Sequence, residues 1–239
     1  MRIAGIADLH CPTTSAEALG PLLAHAAREA DVLLLGGDLT DRGLEDEARL
    51  LARSLAAHVR IPVLAVLGNH DYESGKAAEV RAILADVGVR VLDGEAVEID
   101  RVGFVGVKGF AGGFGQRALQ PWGEAPIKRF VQAAVEEAVK LEAALAKLQT
   151  PHRVVVMHYA PVEATVKGEA PELYPFLGSS RLEEPLVRYA VSAVFHGHAH
   201  SGSPEGRTRG DTPVYNVALP VLERAFPDRP AVRTIALPR

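Results

Sequence analysis

The sequence predicts an α/β fold with parallel strands, and two patterns support this prediction. Short apolar runs rich in β-branched residues recur along the chain, which suits strands that are buried on both faces of a sheet. Segments with apolar residues at helical spacing lie between the runs of the first half, and such alternation is typical of parallel sheets. A third observation concerns function, because polar turns directly follow five of the runs.

The predicted strands are short and nearly all apolar. In chain order, they cover residues 2–7, 32–35, 63–67, 102–107, 154–157 and 191–195. Three further short strands, joined by Pro- and Gly-rich turns, are expected at residues 203–206, 214–217 and 232–236. This tail therefore adds strands to the sheet structure after the last polar turn.

The predicted helices lie between these strands. Helical spacing of apolar residues covers residues 15–30, 44–59 and 76–86, and Gly88 is a plausible C-cap for the third helix. The longest helix is expected within residues 127–148, because Pro126 precedes it and Pro151 follows it. A further helix is expected over residues 181–189.

Length and composition favour one globular domain over residues 1–239. The chain has 48% hydrophobic and 23% charged residues, without an internal repeat or a low-complexity tract. Its net charge of −4 and its scattered Lys and Arg residues do not favour a nucleic-acid partner, and they say little about a small phosphorylated substrate. We find neither a signal peptide nor an apolar run long enough to span a membrane, so a cytoplasmic location is expected. The oligomeric state is not indicated.

The polar turns supply nitrogen and oxygen donors at the carboxyl ends of strands, where open α/β sheets bind ligands. The seven candidate ligands are Asp8, His10, Asp38, Asn69, His158, His198 and His200. Imidazole and carboxylate are usual ligands of divalent metals, and seven donors exceed the need of one four-coordinate zinc ion. The set suits two metal ions that share a bridging carboxylate. Each motif alone is weak evidence, but five in order are specific.

These motifs resemble those of the calcineurin-like metallophosphoesterases. The matching strings are DLH, GDLTDRG, GNHD, HYAP and GHAH, in family order between positions 8 and 200. The resemblance implies a four-layer α/β/β/α sandwich with two facing mixed β-sheets. It also implies hydrolysis of phosphate esters by two divalent or trivalent metal ions, whose identity (Mn, Fe, Zn, Co or Ni) stays open. A hydroxide that bridges the metals would attack phosphorus.

The resemblance also implies a role for each motif residue. Asp8, His10 and His200 would bind one metal, Asn69, His158 and His198 would bind the other, and Asp38 would bridge them. His70 would be the general acid for the leaving group. Asp41 and Asp71 are both candidates to orient His70, and Asp41 is favoured. Arg42 and Asn69 are assigned to substrate binding.

Two segments lie outside the motifs, and their roles stay open. Residues 109–115 are glycine-rich and are either a lid or a plain connection, whereas residues 169–180 are a candidate specificity loop or an ordinary surface loop. Two alternatives to a small-ester phosphodiesterase or phosphomonoesterase stay open. One is a nuclease of the same superfamily, and the other is a non-catalytic interaction module on the same fold.

Overall fold

The first sheet of the computed structural model has five strands; the structure describes residues 1–11 and 16–238. The strands β1 (Arg2–Ile6), β2 (Val32–Gly36), β3 (Val63–Val66) and β4 (Val89–Val91) are parallel, and β11 (Arg233–Ala236) pairs antiparallel with β1. The order across the sheet is β11-β1-β2-β3-β4. Parallel pairing therefore brings the carboxyl ends of β1, β2 and β3 to one edge.

The second sheet has six strands. They are β5 (Glu95–Ile99), β6 (Val102–Val107), β7 (His152–Met157), β8 (Ala193–His196), β9 (Glu205–Arg207) and β10 (Pro213–Asn216). The order is β5-β6-β7-β8-β10-β9, with antiparallel pairs only at the two edges. The central strands β6, β7, β8 and β10 run parallel. Both sheets are therefore mixed.

Seven α-helices connect or cover the strands in the described part of the chain. They are α1 (Ala16–Glu29), α2 (Glu45–His58), α3 (Ala77–Ala85), α4 (Ala125–Leu145), α5 (Tyr174–Leu177), α6 (Glu183–Arg188) and α7 (Leu219–Ala225). Acidic residues in the first turn of α2 complement the helix dipole. The Glu47 carboxylate also accepts the backbone N–H groups of Arg42 and Leu44, which stabilises the start of this helix.

Two layers of side chains on β2 explain why this strand is apolar throughout. Leu34 faces the second sheet, where it belongs to one core with Phe104 and Phe195. Leu33 and Leu35 face the opposite side, in a core shared with α1, α2 and α3. Each such fully buried leucine contributes about 1.5–3 kcal/mol to stability.

The second sheet repeats this arrangement on its outer face. Val105 and Met157 share a core with Leu141 of α4 and Leu186 of α6. The order of layers is thus helices, first sheet, second sheet, helices. The predicted α/β/β/α sandwich with two facing mixed sheets is confirmed.

The structure also shows elements that the apolar pattern did not predict. The strands β4 and β5 are absent from the predictions, because β4 has three residues and β5 is a polar edge strand. The helix α7 follows β10 directly and was also not predicted. The strand predicted at 191–195 begins at Ala193, and the helix predicted from 181 begins at Glu183. The predicted start of the first helix, at Ser15, lies outside the described residues.

Among the described residues, no helix has both the length and the apolar character needed to cross a membrane.

Candidate metal centre

Five strand ends bring the seven candidate ligands together between the two sheets. Three groups of side chains have ligand atoms within 4.8 Å of one another; one of them joins His10 to Asp41 and His70, and the other two consist of candidate ligands only. Of these two, the first group contains Asp8, His10, Asp38 and His200, and the second contains Asp38, His158 and His198. Asn69 lies at the second group, where its Oδ1 accepts a hydrogen bond from His158 Nε2 at 2.9 Å. The two groups therefore meet at Asp38.

Backbone strain is concentrated at these residues. Seven non-glycine residues have positive φ angles in the described part of the chain, and four of them are candidate ligands. The angles are 57° at Asp8, 41° at His10, 48° at Asp38 and 69° at His198. Residues with a Cβ atom rarely adopt this conformation, which costs energy and tends to occur at functional sites. The surrounding fold thus holds the ligand turns in conformations that aim their side chains inward.

Two glycines allow the ligand turns to approach one another. A Cβ atom at Gly68 would overlap Asp38 and come within 2.7 Å of His158 Cε1. A Cβ atom at Gly197 would overlap Asp8 Oδ2 and come within 2.7 Å of Ala7 Cβ. Each glycine lies in a predicted motif, but its spatial role could not be inferred from the motif.

Buried charge dominates the electrostatics of the site. Asp8 is 2% exposed and Asp38 is 1% exposed, and burial of a carboxylate is costly without a compensating cation. Burial acts to raise the pKa of Asp38, but the charge of His158 and hydrogen bonds outweigh it, so the pKa lies below its usual value. Burial likewise acts to lower the pKa of His158, but Asp38 outweighs it and raises the pKa to about 9. The carboxylates thus attract positive charge to this point.

The histidines have the geometry of metal ligands held by their surroundings. His158 Nδ1 donates to the Gly36 carbonyl at 2.9 Å, which turns Nε2 toward Asp38 and Asn69. His198 Nε2 contacts the Phe176 carbonyl at 3.2 Å, which leaves Nδ1 as the free ring nitrogen. Hydrogen bonds to backbone carbonyls orient metal-binding imidazoles in this way. Burial, followed by the charge of His158, lowers the pKa of His198 to about 3, so its neutral, ligating form predominates.

One buried nitrogen supports the fit of a cation directly. His10 Nε2 is buried without a hydrogen-bond partner among the described residues, and it lies 3.8 Å from Asp38 Oδ2. An unpaired buried nitrogen opposite a carboxylate oxygen is a destabilising arrangement unless a cation lies between them. The donor set of carboxylate, imidazole and amide oxygens suits a divalent metal of the first transition row.

His70 lies beside the first group of donors. Its ring is 4.5 Å from the His10 ring, measured between centroids. Its Nδ1 contacts the backbone carbonyl of Asp41 at 2.7 Å, whereas the Asp41 carboxylate lies 3.6 Å from His10 Nδ1. Among the described residues, the hydrogen bond between the two residues thus runs through the Asp41 carbonyl, while a carboxylate oxygen of Asp41 lies within 4.8 Å of a His70 ring nitrogen, and the role of Asp41 in orienting His70 stays a prediction.

Asp71 stabilises the turns that carry the ligands. Its buried carboxylate accepts the backbone N–H groups of Leu39, Thr40 and Gly68 and the Thr40 hydroxyl, at distances of 2.5–3.2 Å. These bonds tie the turn after β2 to the turn after β3. No hydrogen bond joins Asp71 to His70 among the described residues, so Asp71 acts on the loops.

Arg42 lies at the rim of the site. Its side chain is 72% exposed, and its Nε lies 3.8 Å from Asp41 Oδ2. The structure does not bring its guanidinium into the donor groups. Its predicted role in substrate binding stays a prediction.

The two segments outside the motifs are joined to each other. Gly112 N–H donates to the Pro175 carbonyl at 2.7 Å, and Gly113 N–H donates to the Gly178 carbonyl at 2.8 Å. The second segment also pairs with Ala160, beyond His158, through hydrogen bonds of 3.0 Å on either side. Residues 109–115 and 169–180 thus form one hydrogen-bonded layer beside the site.

The sequence profile of the calcineurin-like phosphoesterase family matches residues 1–202, and the chain therefore belongs to this family. The matched span contains every candidate ligand from Asp8 to His200. The protein is accordingly a metal-dependent hydrolase of phosphate esters, as the clusters of buried Asp and His residues also indicate.

Two solved structures have a similar fold. One is phosphopantetheinyl hydrolase (PptH) from Mycobacterium tuberculosis, with a TM-score of 0.70 and 16% identity over 98% of this chain and 95% of that chain. The other is TT1561 of Thermus thermophilus, with a TM-score of 0.56 and 16% identity over 98% of this chain and 97% of that chain. At these identities the likeness concerns the fold alone. No curated protein matches the chain.

Proposed function

We propose that this chain hydrolyses small phosphate esters with two metal ions and uses His70 as the general acid. Asp8, His10 and His200 would hold one ion, and Asn69, His158 and His198 would hold the other. Asp38 would bridge the pair. The observation that carries this proposal is the position of Asp38, which belongs to both groups of donors.

The chemistry divides between the ions and the side chains. When bound, two metal ions stabilise negative charge on phosphoryl oxygens and lower the pKa of a coordinated water molecule. His70 donates a proton to the leaving oxygen, which is otherwise a strong base. The contact of its Nδ1 with the Asp41 carbonyl leaves Nε2 free for this transfer.

Two further residues would contact the phosphate. The amide nitrogen of Asn69 remains a donor for a phosphoryl oxygen, because only its Oδ1 is engaged by His158. Arg42, on its exposed side chain, would reach the phosphate from the rim, where a guanidinium can bind two oxygens at once. The net charge of −4 favours a small substrate over a nucleic acid.

The test is hydrolysis of a monoester and a diester by purified protein supplied with Mn, Fe, Zn, Co or Ni in turn. The substrates are p-nitrophenyl phosphate and bis-p-nitrophenyl phosphate, followed by a panel of cyclic nucleotides and nucleotides. We expect hydrolysis of p-nitrophenyl phosphate, bis-p-nitrophenyl phosphate or both, and loss of this activity in Asn69→Ala. The proposal fails if both esters remain intact with every metal. Cleavage of plasmid DNA in place of these small esters would instead indicate a nuclease.

The number of metal ions has its own measurement. Elemental analysis of protein reconstituted with one metal should give about two ions per chain, as expected for two donor groups that share a carboxylate. A content that saturates at one ion per chain would contradict the binuclear proposal while leaving hydrolysis itself intact.

A further inference from the structure

Lys108 lies beside the candidate metal centre but belongs to none of the motifs. It directly follows β6, so it occupies the same sheet edge as His158, which follows β7. The Lys108 carbonyl accepts the backbone N–H groups of His158 and Tyr159 at 3.0 and 3.1 Å. The residue is therefore built into the turn that carries a candidate ligand.

The ammonium group of Lys108 is surrounded by aromatic rings. Its Nζ lies 4.8 Å from the ring centroid of Phe110, 5.0 Å from that of Tyr159 and 5.8 Å from that of Tyr72. Tyr159 in turn lies 4.4 Å from the ring of His198, again between centroids. Tyr72 belongs to the short helical turn that begins at His70. The ammonium thus lies one aromatic ring away from the metal centre.

This ammonium group has no carboxylate partner within 4.0 Å among the described residues. It donates one hydrogen bond, to the Gly109 carbonyl at 3.0 Å. The neighbouring carboxylate, Glu137, is already engaged by Lys140 and by the Gly109 N–H group. Burial lowers the pKa of Lys108. A half-buried cation with spare donors and no carboxylate within 4.0 Å among the described residues is well suited to bind an anion.

An apolar surface continues from this cation along the site. Phe110 contacts Phe130, and Phe130 contacts Phe176, at centroid distances of 5.1 and 6.5 Å. The Phe176 side chain is 55% exposed, although its carbonyl lies against His198. Tyr72 is 42% exposed. Exposed rings next to a polar centre are typical of a surface that binds an organic ligand.

We propose that Lys108 and the rings of Tyr72, Phe110 and Tyr159 form a subsite for the leaving group of the substrate. The substrate class is a phosphate ester whose leaving group has an apolar part and ends in an anionic group. The apolar part lies against the rings of Tyr72 and Phe110, since Tyr159 is buried, and the terminal anion binds the Lys108 ammonium. This inference rests on the proposed hydrolysis of small phosphate esters and adds the choice of substrate.

The test measures equilibrium binding, so it does not depend on catalysis. The ligands are benzylphosphonates, which lack the scissile P–O bond and differ only in the para substituent. The substituents are ethyl, 2-carboxyethyl and 2-sulfoethyl. Calorimetry with metal-loaded protein should show that the two charged ligands bind about 10- to 100-fold more tightly than the ethyl ligand, as expected for a hydrogen bond to a charged group. The carboxylate and sulfonate arms show which anion the subsite prefers.

Variants of Lys108 test whether this residue causes the preference for charged ligands. Lys108→Met keeps the length and the apolar stem, and it should reduce the preference to about 1-fold without weakening the ethyl ligand. Lys108→Arg should retain the preference, because it keeps the charge. Lys147→Met is the matched control, since it removes an equal charge from an exposed residue beyond α4, and it should change neither ligand.

Three outcomes would overturn the subsite. They are equal binding of charged and uncharged ligands by the parent protein, equal weakening of all three ligands in Lys108→Met, and no binding of any phosphonate. Thermal unfolding of each variant identifies a folding defect. If Lys108→Met does not fold, the binding of the three ligands to the parent protein and to Lys108→Arg still tests the subsite. A protein that binds the charged ligands selectively but hydrolyses no ester would refute the proposed function and leave the subsite intact.

Discussion

Two regions of the site are held in different ways. The first region consists of the turns of the first sheet, and the second consists of the segments beside the second sheet. The turns of the first sheet are held by buried carboxylates: Asp71 joins the turns after β2 and β3, and Asp38 accepts the His70 backbone N–H at 2.9 Å. The segments beside the second sheet are held by backbone hydrogen bonds between residues 109–115, 160 and 169–180. Their side chains, such as the exposed Phe176 ring, remain available.

We expect this difference to separate the reaction from the choice of substrate. Buried carboxylates fix the donor positions of the first sheet, and a small displacement there costs much activity. A backbone ladder leaves the side chains of the second region free to vary without loss of the fold. We therefore expect substitutions in the first region to change metal content and turnover, and substitutions in the second to change substrate binding.

The largest effect is expected at Asp38, the residue common to both donor groups. Asp38→Asn keeps a hydrogen-bond acceptor for the His70 N–H but removes the negative charge, so both metal ions should be lost. We expect kcat/KM to fall at least about 10³-fold, because metal ions contribute several kcal/mol to transition-state stabilisation. Elemental analysis and hydrolysis of bis-p-nitrophenyl phosphate are the measurements.

His200→Ala is the matched variant for this prediction, because His200 belongs to one donor group only. It should keep about one ion per chain. If Asp38→Asn retained two ions, or if the two variants lost metal equally, the shared position of Asp38 would have no functional meaning.

The next effect is expected at His70, where proton transfer and metal binding can be separated. His70→Ala should lower kcat about 10²- to 10⁴-fold for an alkyl ester while the metal content stays unchanged. The loss should be smaller for p-nitrophenyl esters, since p-nitrophenolate is a weak base and needs less protonation. An equal loss on both leaving groups would count against His70 as the general acid.

Most of the candidate site could be predicted from sequence because each candidate ligand lies within four residues after the end of a strand. Asp8, Asp38, His158 and His198 are all placed by the strand ends that precede them. The contact of Asp41 with His70 was not predictable in detail, because a sequence does not tell whether a residue reaches its neighbour through its carboxylate or its backbone carbonyl.

Other features depend on contacts between distant segments. The Lys108 subsite unites residues 72, 108, 110 and 159, and no local pattern connects them. The strand β5 was not predicted for a different reason. It is an edge strand that buries only Val97 fully, so its sequence has no continuous apolar run.

A third prediction concerns the stability of the first region. In Asp71→Asn, one carboxylate oxygen becomes an NH₂ group that faces backbone N–H or hydroxyl donors, so at least one buried donor loses its acceptor. The free energy of unfolding in urea should fall by about 1–3 kcal/mol. Asp228→Asn is the control, because that residue is exposed and no hydrogen bond or ion pair engages its side chain among the described residues, so no measurable change is expected.

The next effect is expected when the second region is disturbed. Gly178 has an extended backbone, but a Cβ atom there would overlap the Ala160 carbonyl oxygen and lie 2.8 Å from its carbonyl carbon. Gly178→Ala should therefore shift residues 169–180 away from the site, at a cost of about 1–3 kcal/mol in stability. We expect KM to rise severalfold while the metal content stays at its original level.

Gly20→Ala is the matched control, since its Cβ would meet only the exposed His58 ring. Loss of metal from Gly178→Ala would show that the backbone ladder also positions the ligands, which would remove the distinction between the two regions.

The smallest effect is expected at Arg42, whose side chain is 72% exposed at the rim of the site. The interaction of a solvated guanidinium with phosphate is weakened by solvent. Binding also costs conformational entropy, because the flexible side chain must become ordered. Arg42→Ala should therefore raise KM for p-nitrophenyl phosphate about 3- to 10-fold and leave kcat nearly unchanged, as for an interaction made equally in ground and transition states. The effect should be weaker for the diester, which carries one negative charge instead of two. The measurement is the steady-state kinetics of the parent protein and Arg42→Ala with both substrates. An equal or larger rise in KM for the diester would indicate that Arg42 contacts the leaving group instead of the phosphate.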